Sequence, residues 1–153
     1  MGDAIILTNA FFAVGTGTAS ADRNLSPRLK KLTWNEKFDD HDVTCMGSTT
    51  RVRAIGLGEA DVTAELLQSY STADAGENID KLVDNLRTVS QGGGKFLVRM
   101  RPYDANRSGT NPEYSMLAVM AERTIFDGQV GDPLMNPLTF LSAGDITRAT
   151  ASS

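Results

Sequence analysis

RLKKLTWNEKF, residues 28–38, decides the fold class. Leu32, Trp34 and Phe38 fall on one side of an extended chain, and Lys31, Thr33, Asn35 and Lys37 fall on the other. A period of two with one apolar side is the pattern of a strand that buries a single face. The same reading extends outward. DVTAELLQSY (61–70) sets Val62, Ala64, Leu66 and Tyr70 against Thr63, Glu65 and Ser69. KFLVRMRPY (95–103) sets Phe96, Val98 and Met100 against Arg99 and Arg101. EYSMLAVMAERTIF (113–126) and LMNPLTFLS (134–142) are two more strands, and residues 4–14 are an apolar β-like run. Pro137 cannot donate to a ladder, so the sequence places the 134–142 strand at an edge or a bulge.

Only ENIDKLVDNLRTV (77–89) changes period. Ile79, Leu82, Val83 and Leu86 stand at i, i+3, i+4 and i+7, the apolar stripe of an amphipathic helix over about residues 77–90. Asp74 with Glu77 three residues later has the form of a capping box, and Gly92, Gly93 and Gly94 stop the helix. The expected fold is therefore mainly β: a sandwich or barrel of seven or eight antiparallel strands with one flanking helix. The chain reads as one domain over residues 1–153. It has a polar arm or loop at 15–27, a loop at 39–59 that opens on an acidic turn (39–42), and a short C-terminal tail at 143–153.

Composition narrows the functional classes. The chain has 153 residues, 19 acidic against 15 basic, and a formal charge of −4, which argues against a grip on duplex DNA. No stretch reaches the ~18 apolar residues of a membrane-spanning helix, and residues 5–14 lack the basic start and cleavage site of a signal peptide. Cys45 is the only cysteine, so no intramolecular disulfide forms. His41 and Cys45 are close in sequence, but a metal site needs two more ligands at a spacing the chain does not offer. SQGGGKF (90–96) follows a helix and has no Ser or Thr after the lysine, so it reads as a helix stop and not a phosphate loop. Arg99 and Arg101 read as a solvated or inter-subunit strand face. No cofactor, metal or catalytic residue is expected.

A β-rich domain with a polar arm, glycine-broken hairpins and no catalytic constellation has the features of a subunit that exchanges strands with its neighbours. Over roughly residues 28–150 the order of elements resembles the tail tube (major tail) proteins of long-tailed siphophages. The most specific parts are DVTCMG (42–47), TNPEYSM (110–116) and GDITRAT (144–150). In relatives the first resembles a D-x-T-x-F-G run and the last G-x-V-T-R-A-T. Met46 stands where an aromatic is usual, and the helix segment is longer than in many relatives.

The resemblance implies a virion protein made in the bacterial host cytoplasm. It implies hexameric rings stacked into a tube, whose lumen passes DNA without holding it. Tape measure and tail terminator or tip proteins are the implied partners besides the chain itself, with no membrane. A capsid decoration or head–tail joining protein is the alternative. The polar strand faces make Thr33, Asn35, Thr63 and Glu65 candidates for the lumen. Candidate inter-subunit residues are Thr18, Asp22, Asp42, Met46, Arg51, Arg53, Ile146 and Arg148, with loop 39–59 and arm 15–27 meeting the next ring. In the tail, Ile146 and Thr147 are expected to order against this subunit's sheet or a neighbour's, and Ala151–Ser153 to stay loose.

Overall fold

The computed structural model describes residues 10–15, 23–68, 70 and 79–150. Eight strands form one antiparallel sheet: β1 (Phe11–Gly15), β2 (Arg23–Asn24), β3 (Leu29–Asp42), β4 (Arg53–Leu67), β5 (Phe96–Arg101), β6 (Glu113–Arg123), β7 (Met135–Ser142) and β8 (Thr147–Ala149). Among the described residues one α-helix, α1 (Ile79–Gln91), accompanies them. The order across the sheet is β2-β1-β5-β6-β7-β4-β3, with β8 also on β6.

The sheet curls. β3 and β5 are four steps apart in that order, about 19 Å in a flat sheet. Yet Trp34 of β3 and Met100 of β5 line the same small hollow with Tyr114 and Ile146. Inside the curl the alternating residues meet: Phe12, Val62, Leu66, Phe96, Val98, Leu138 and Phe140 are all at most 1% exposed. Phe96 and Phe140 pack edge to face, with centroids 5.0 Å apart, the arrangement that aromatic quadrupoles favour.

Helix α1 lays Ile79, Leu82, Val83 and Leu86 on this core, the four residues its periodicity selects. Its described extent overlaps the expected 77–90 and runs one residue past it, to Gln91, while residues 77 and 78 and the capping pair Asp74 and Glu77 lie outside the described residues. The glycines end it by hydrogen bonding. Gly94 N–H donates to Val89 O and Gly93 N–H to Ser90 O. Gly93 holds φ at +81°, the left-handed turn that only glycine adopts without strain.

Three expectations need correction. First, residues 39–42 are not a turn: β3 runs through to Asp42, and β4 already begins at Arg53, so the loop expected at 39–59 shrinks to 43–52. The acids are tolerated because this distal part is a two-stranded arm, and Asp40 pairs across it with Arg53. Second, Phe38 and Tyr70 are 53% and 54% exposed instead of facing the core. Phe38 lies where the arm has left the body, and Tyr70 lies past the end of β4.

Third, β7 is an interior strand, flanked by β4 and β6. Pro137 fits there because its carbonyl accepts Thr124 N–H just past the last residue of β6. Its missing donor thus points beyond the β6 ladder, and no bond to β4 is lost. The nearest register slip, in β6 between Met120 and Glu122, lies opposite Phe140 and Thr139, and β7 passes β4 in unbroken register through Pro137, so the proline stands at neither an edge nor a bulge of its own strand.

Candidate assembly interface

The convex side of the sheet carries the residues that alternate away from the core. Thr33 pairs with Thr63, Asn35 with Asp61 and Lys31 with Glu65 across β3 and β4. Thr63 and Glu65 in turn neighbour Thr139 and Pro137 of β7. The four candidate lumen residues therefore converge on one polar face. Thr63 and Asn35 are exposed, and Thr33 and Glu65 are half-buried.

From this face the β3–β4 arm projects. β7 accompanies β4 only over Asp61–Leu67, so from Glu36–Ala60 outward to Asp42–Arg53 the hairpin has no third strand. Seven residues at about 3.3 Å each make the arm about 23 Å long. One extra residue on β4 near Gly56 and Leu57 shifts the register between Phe38 and Asp40. Two cross-strand side chains cover the glycines. A Cβ on Gly58 would sit 3.1 Å from the Phe38 ring, and one on Gly56 would sit 2.7 Å from His41 Nε2.

The tip is built by a compact set of bonds. Asp42 Oδ1 accepts Thr44 N–H at 3.0 Å and the Thr44 hydroxyl at 2.5 Å. Thr44 Oγ1 accepts Val52 N–H at 2.8 Å. The Thr44 hydroxyl, then its N–H, holds the Asp42 carboxyl below the usual 3.8, because both bonds favour the ionised form. Ser48 N–H reaches Cys45 O, and Gly47, at φ +91°, closes the turn. The turn presents Met46 fully to solvent, at 104% relative exposure. Of the candidate inter-subunit residues, Asp42, Met46, Arg51 and Arg53 thus come together at this tip, where Arg51 lies 4.0 Å from Asp42.

Ile146 and Arg148 lie apart from the tip, on the C-terminal segment. β8 pairs with Glu113–Ser115 of β6 within the same chain, so the last strand has a partner of its own. Ile146 packs on the core where β3 and β5 approach, and Arg148 Nε donates to the Tyr114 hydroxyl. Thr18, Asp22 and Ala151–Ser153 lie outside the described residues, as does most of the arm at 15–27.

Arg99 and Arg101 are not a solvated stripe. Both reach the carboxylate of Glu113, at 3.5 and 3.0 Å, and Arg107 lies 3.8 Å from it. Glu113 is 5% exposed at its side chain, and Arg101 stacks on Phe11 at 3.9 Å. Beside it Asn111, also buried, accepts Tyr103 N–H and donates to the carbonyls of Tyr103, Ala105 and Asn106. Two residues of TNPEYSM thus hold the loop 102–112 in place.

Sequence reasoning missed the apolar surface of the arm. Phe38, Val43, Val52, Ile55 and Leu57 are all 48% exposed or more. Ile125, Phe126 and Val130, in the loop between β6 and β7, are 60%, 70% and 108% exposed. A signal was present in each case: apolar residues flanked closely by glycine or aspartate, in IGLGE and FDGQVGD. Among the described residues no group of three His, Cys, Asp or Glu side chains is placed to hold a metal ion. A groove of about 370 Å³ between the end of α1 and the bulge of β6 holds one hydroxyl, Ser90. That hydroxyl is already committed to Leu86 O and Met120 N–H.

No family model and no curated protein matches this sequence. Solved structures do match in fold. The SPP1 tail tube, determined by solid-state NMR and cryo-EM, superposes with a TM-score of 0.71 at 12% identity, over 98% of this chain and 81% of that one. A chain from the tail of an empty gene transfer agent particle, refined helically with C6 symmetry, gives 0.63 at 13% identity, over 91% and 94%. A chain from the virion of the native gene transfer agent particle gives 0.60 at 12%, over 90% and 95%. At these identities the likeness is one of architecture: the curled antiparallel sheet with helix α1 has the fold of the SPP1 tail tube protein.

Proposed function

We propose that this chain is the structural subunit of a siphophage tail tube, self-assembling into hexameric rings that stack around a DNA-conducting lumen. The observation that carries the reading is the match to a tail tube over nearly the whole chain, joined to an arm that is not self-sufficient. Isolated two-stranded hairpins are marginal in water, and this one exposes six large apolar side chains and two open edges. β3 supplies a 14-residue edge strand at the rim of the sheet. Pairing that edge with an adjacent subunit would satisfy its free backbone groups. Six such joints would close the sheets into one barrel.

The convex face then turns inward. Thr33, Asn35, Thr63 and Glu65 would line the lumen with Lys31, Lys37, Glu59 and Asp61 alternating among them, a surface with no net positive charge. Such a wall gives phosphate no counterion-releasing grip, so DNA slides. The arm, with Asp42, Met46, Arg51 and Arg53 at its tip, is the ring-to-ring element, and Thr18 and Asp22 of arm 15–27 belong to the same proposal. Ile146 and Arg148 act within the subunit, setting the surface that neighbours meet. Tape measure and terminator proteins would meet the inside and the end of such a tube.

Negative-stain microscopy of the purified protein tests this directly. Tubes, or rings with six-fold symmetry, are expected. Trimers that bind only capsids would replace the reading with a decoration protein, and a stable monomer at high concentration would sink it.

A further inference from the structure

The arm needs a receiving surface, and the topology of the chain places one. β4 runs from the arm tip toward Leu67, where it meets Met135 and Leu134. Met135 N–H is bound by Asp127 O, so the loop 124–134 lies at the far pole of the subunit from the tip. The end of β6 and the C-terminal turn of α1 lie at that pole too, since Arg87 and Gln91 share a groove with Glu122 and Arg123. The two poles are the places where apolar side chains crowd the surface. Met46, Val43, Val52, Ile55 and Leu57 mark one, and Ile125, Phe126 and Val130 mark the other.

The charges at the two poles are opposite in sign. The tip, residues 42–53, carries Arg51 and Arg53 against Asp42, and the loop 124–134 carries Asp127 and Asp132 with no basic residue. A basic apolar tip and an acidic apolar loop on opposite ends of one chain are complementary in the head-to-tail sense. A contact between different patches of identical subunits propagates as an open filament.

We infer that the tip of the β3–β4 arm, led by Met46, seats on the 124–134 loop of a second copy of this chain in the next ring, against Ile125, Phe126 and Val130. The inference rests on the tube reading above and adds to it the surface that receives the arm. The tip suits the task because the Asp42–Thr44–Val52 bonds and the Gly47 turn set its shape before docking. A preformed tip loses less conformational freedom on binding. The platform is likewise fixed, by the Asp127–Met135 bridge and by Gly131 at φ +95° in the turn that displays Val130.

Cysteine cross-linking in assembled tubes tests it. Cys45→Ser removes the native thiol, and Met46→Cys with Val130→Cys places one thiol at each pole. Both sites are fully exposed, so the fold is not at risk. Treated with a short bifunctional maleimide, tubes of this chain should yield a ladder of dimers, trimers and longer chains on a denaturing gel. Met46→Cys alone and Val130→Cys alone should yield monomers. A ladder absent from intact tubes overturns the inference, as do dimers from Met46→Cys alone, which would mean that tip meets tip.

If the double variant does not assemble, the two single variants are each diluted into excess Cys45→Ser chain and co-assembled. A cross-linked peptide joining position 46 to position 130 is then required by mass spectrometry, and its absence overturns the inference. Failure of the unaltered chain to form tubes at all counts instead against the tube reading, so the two failures are separable.

Discussion

Glu113→Gln tests whether the fold is held by an ion cluster as well as by its apolar core. Glu113 is 5% exposed at the side chain and faces three guanidinium groups, of Arg99, Arg101 and Arg107, whose side chains are 19%, 15% and 28% exposed. Glutamine keeps the shape and can still accept one hydrogen bond, but it leaves three like charges gathered around a neutral amide. Removing one partner from a buried pair costs about 3–5 kcal/mol. Discounted because the arginines retain some water, the expected loss is about 2–4 kcal/mol. For a domain of this size that lowers Tm by about 4–16 °C. The assay is calorimetric melting of Glu113→Gln beside Arg107→Gln, the longest and most exposed of the three contacts. Arg107→Gln should cost less than about 1 kcal/mol. Added salt should recover part of the Glu113→Gln loss, because mobile anions screen the three cations from one another. Glu113 is also the residue whose backbone pairs with Ala149, so amide exchange in Thr147–Ala149 should quicken. A Glu113→Gln protein that melts within about 1 °C of the parent would refute the reasoning and leave the cluster a solvated one.

Other perturbations separate the core from the arm. Phe140→Ala empties a fully buried site in edge-to-face contact with Phe96 and should cost about 3–5 kcal/mol, read as a lower denaturation midpoint with unchanged secondary structure. Gly47→Ala meets no atom within 4 Å, yet φ of +91° makes the native turn strained by about 1–2 kcal/mol; the tip packs on nothing in its own subunit and can relieve that strain by opening locally, so tube growth should slow while Tm falls by no more than the few degrees that strain allows. Asp42 contributes to the tip above pH 3.8, and that contribution is lost as pH falls through its lowered value. Thr44→Val should therefore move the Asp42 carboxyl titration, followed by NMR, upward toward the usual range. Glu65→Lys leaves the fold intact, since Glu65 is half-buried on the convex face, and should slow ejection if that face lines the lumen; unchanged ejection would remove Glu65 from the lumen.

How much of this was legible beforehand depended on whether a residue's environment was local. The helix was readable because its four core residues and its glycine stop lie within one segment, and periodicity alone selects them. The faces of β5 and the second half of β4 were readable for the same reason: Val62, Ala64, Leu66, Phe96 and Val98 are buried as their alternation says. Alternation cannot say where a strand leaves the body, however. Phe38 keeps the period of Leu32 and Trp34 but sits beyond the last residue that a third strand covers, so pattern was right and burial wrong. Pro137 was misplaced because its tolerance depends on where β6 ends, fourteen residues earlier in the chain. Arg99 and Arg101 were read as surface because their partner, Glu113, is brought to them only by the β5–β6 pairing.

The C-terminal segment and the arm are opposite cases in this chain. Within GDITRAT, Thr147–Ala149 pair with the start of β6, and Ile146 drops into a hollow where the curl brings β3 back toward β5. It is thus a closure of the subunit's own sheet, and its exposed Thr147 and Arg148 are the outer side of that closure. The arm is the reverse case. Its bonds fix its shape, but they leave Phe38, Val43, Met46, Val52, Ile55 and Leu57 exposed, and a free subunit would carry that surface into water at a cost of about 25 cal/mol for each Å² left uncovered. In the proposed tube a neighbouring subunit would supply that cover, and the surface would become stabilising on assembly, with the preset tip lowering the entropic cost of docking. On that proposal the stability of the arm and the stability of the filament are one quantity, and loosening the tip should weaken both together.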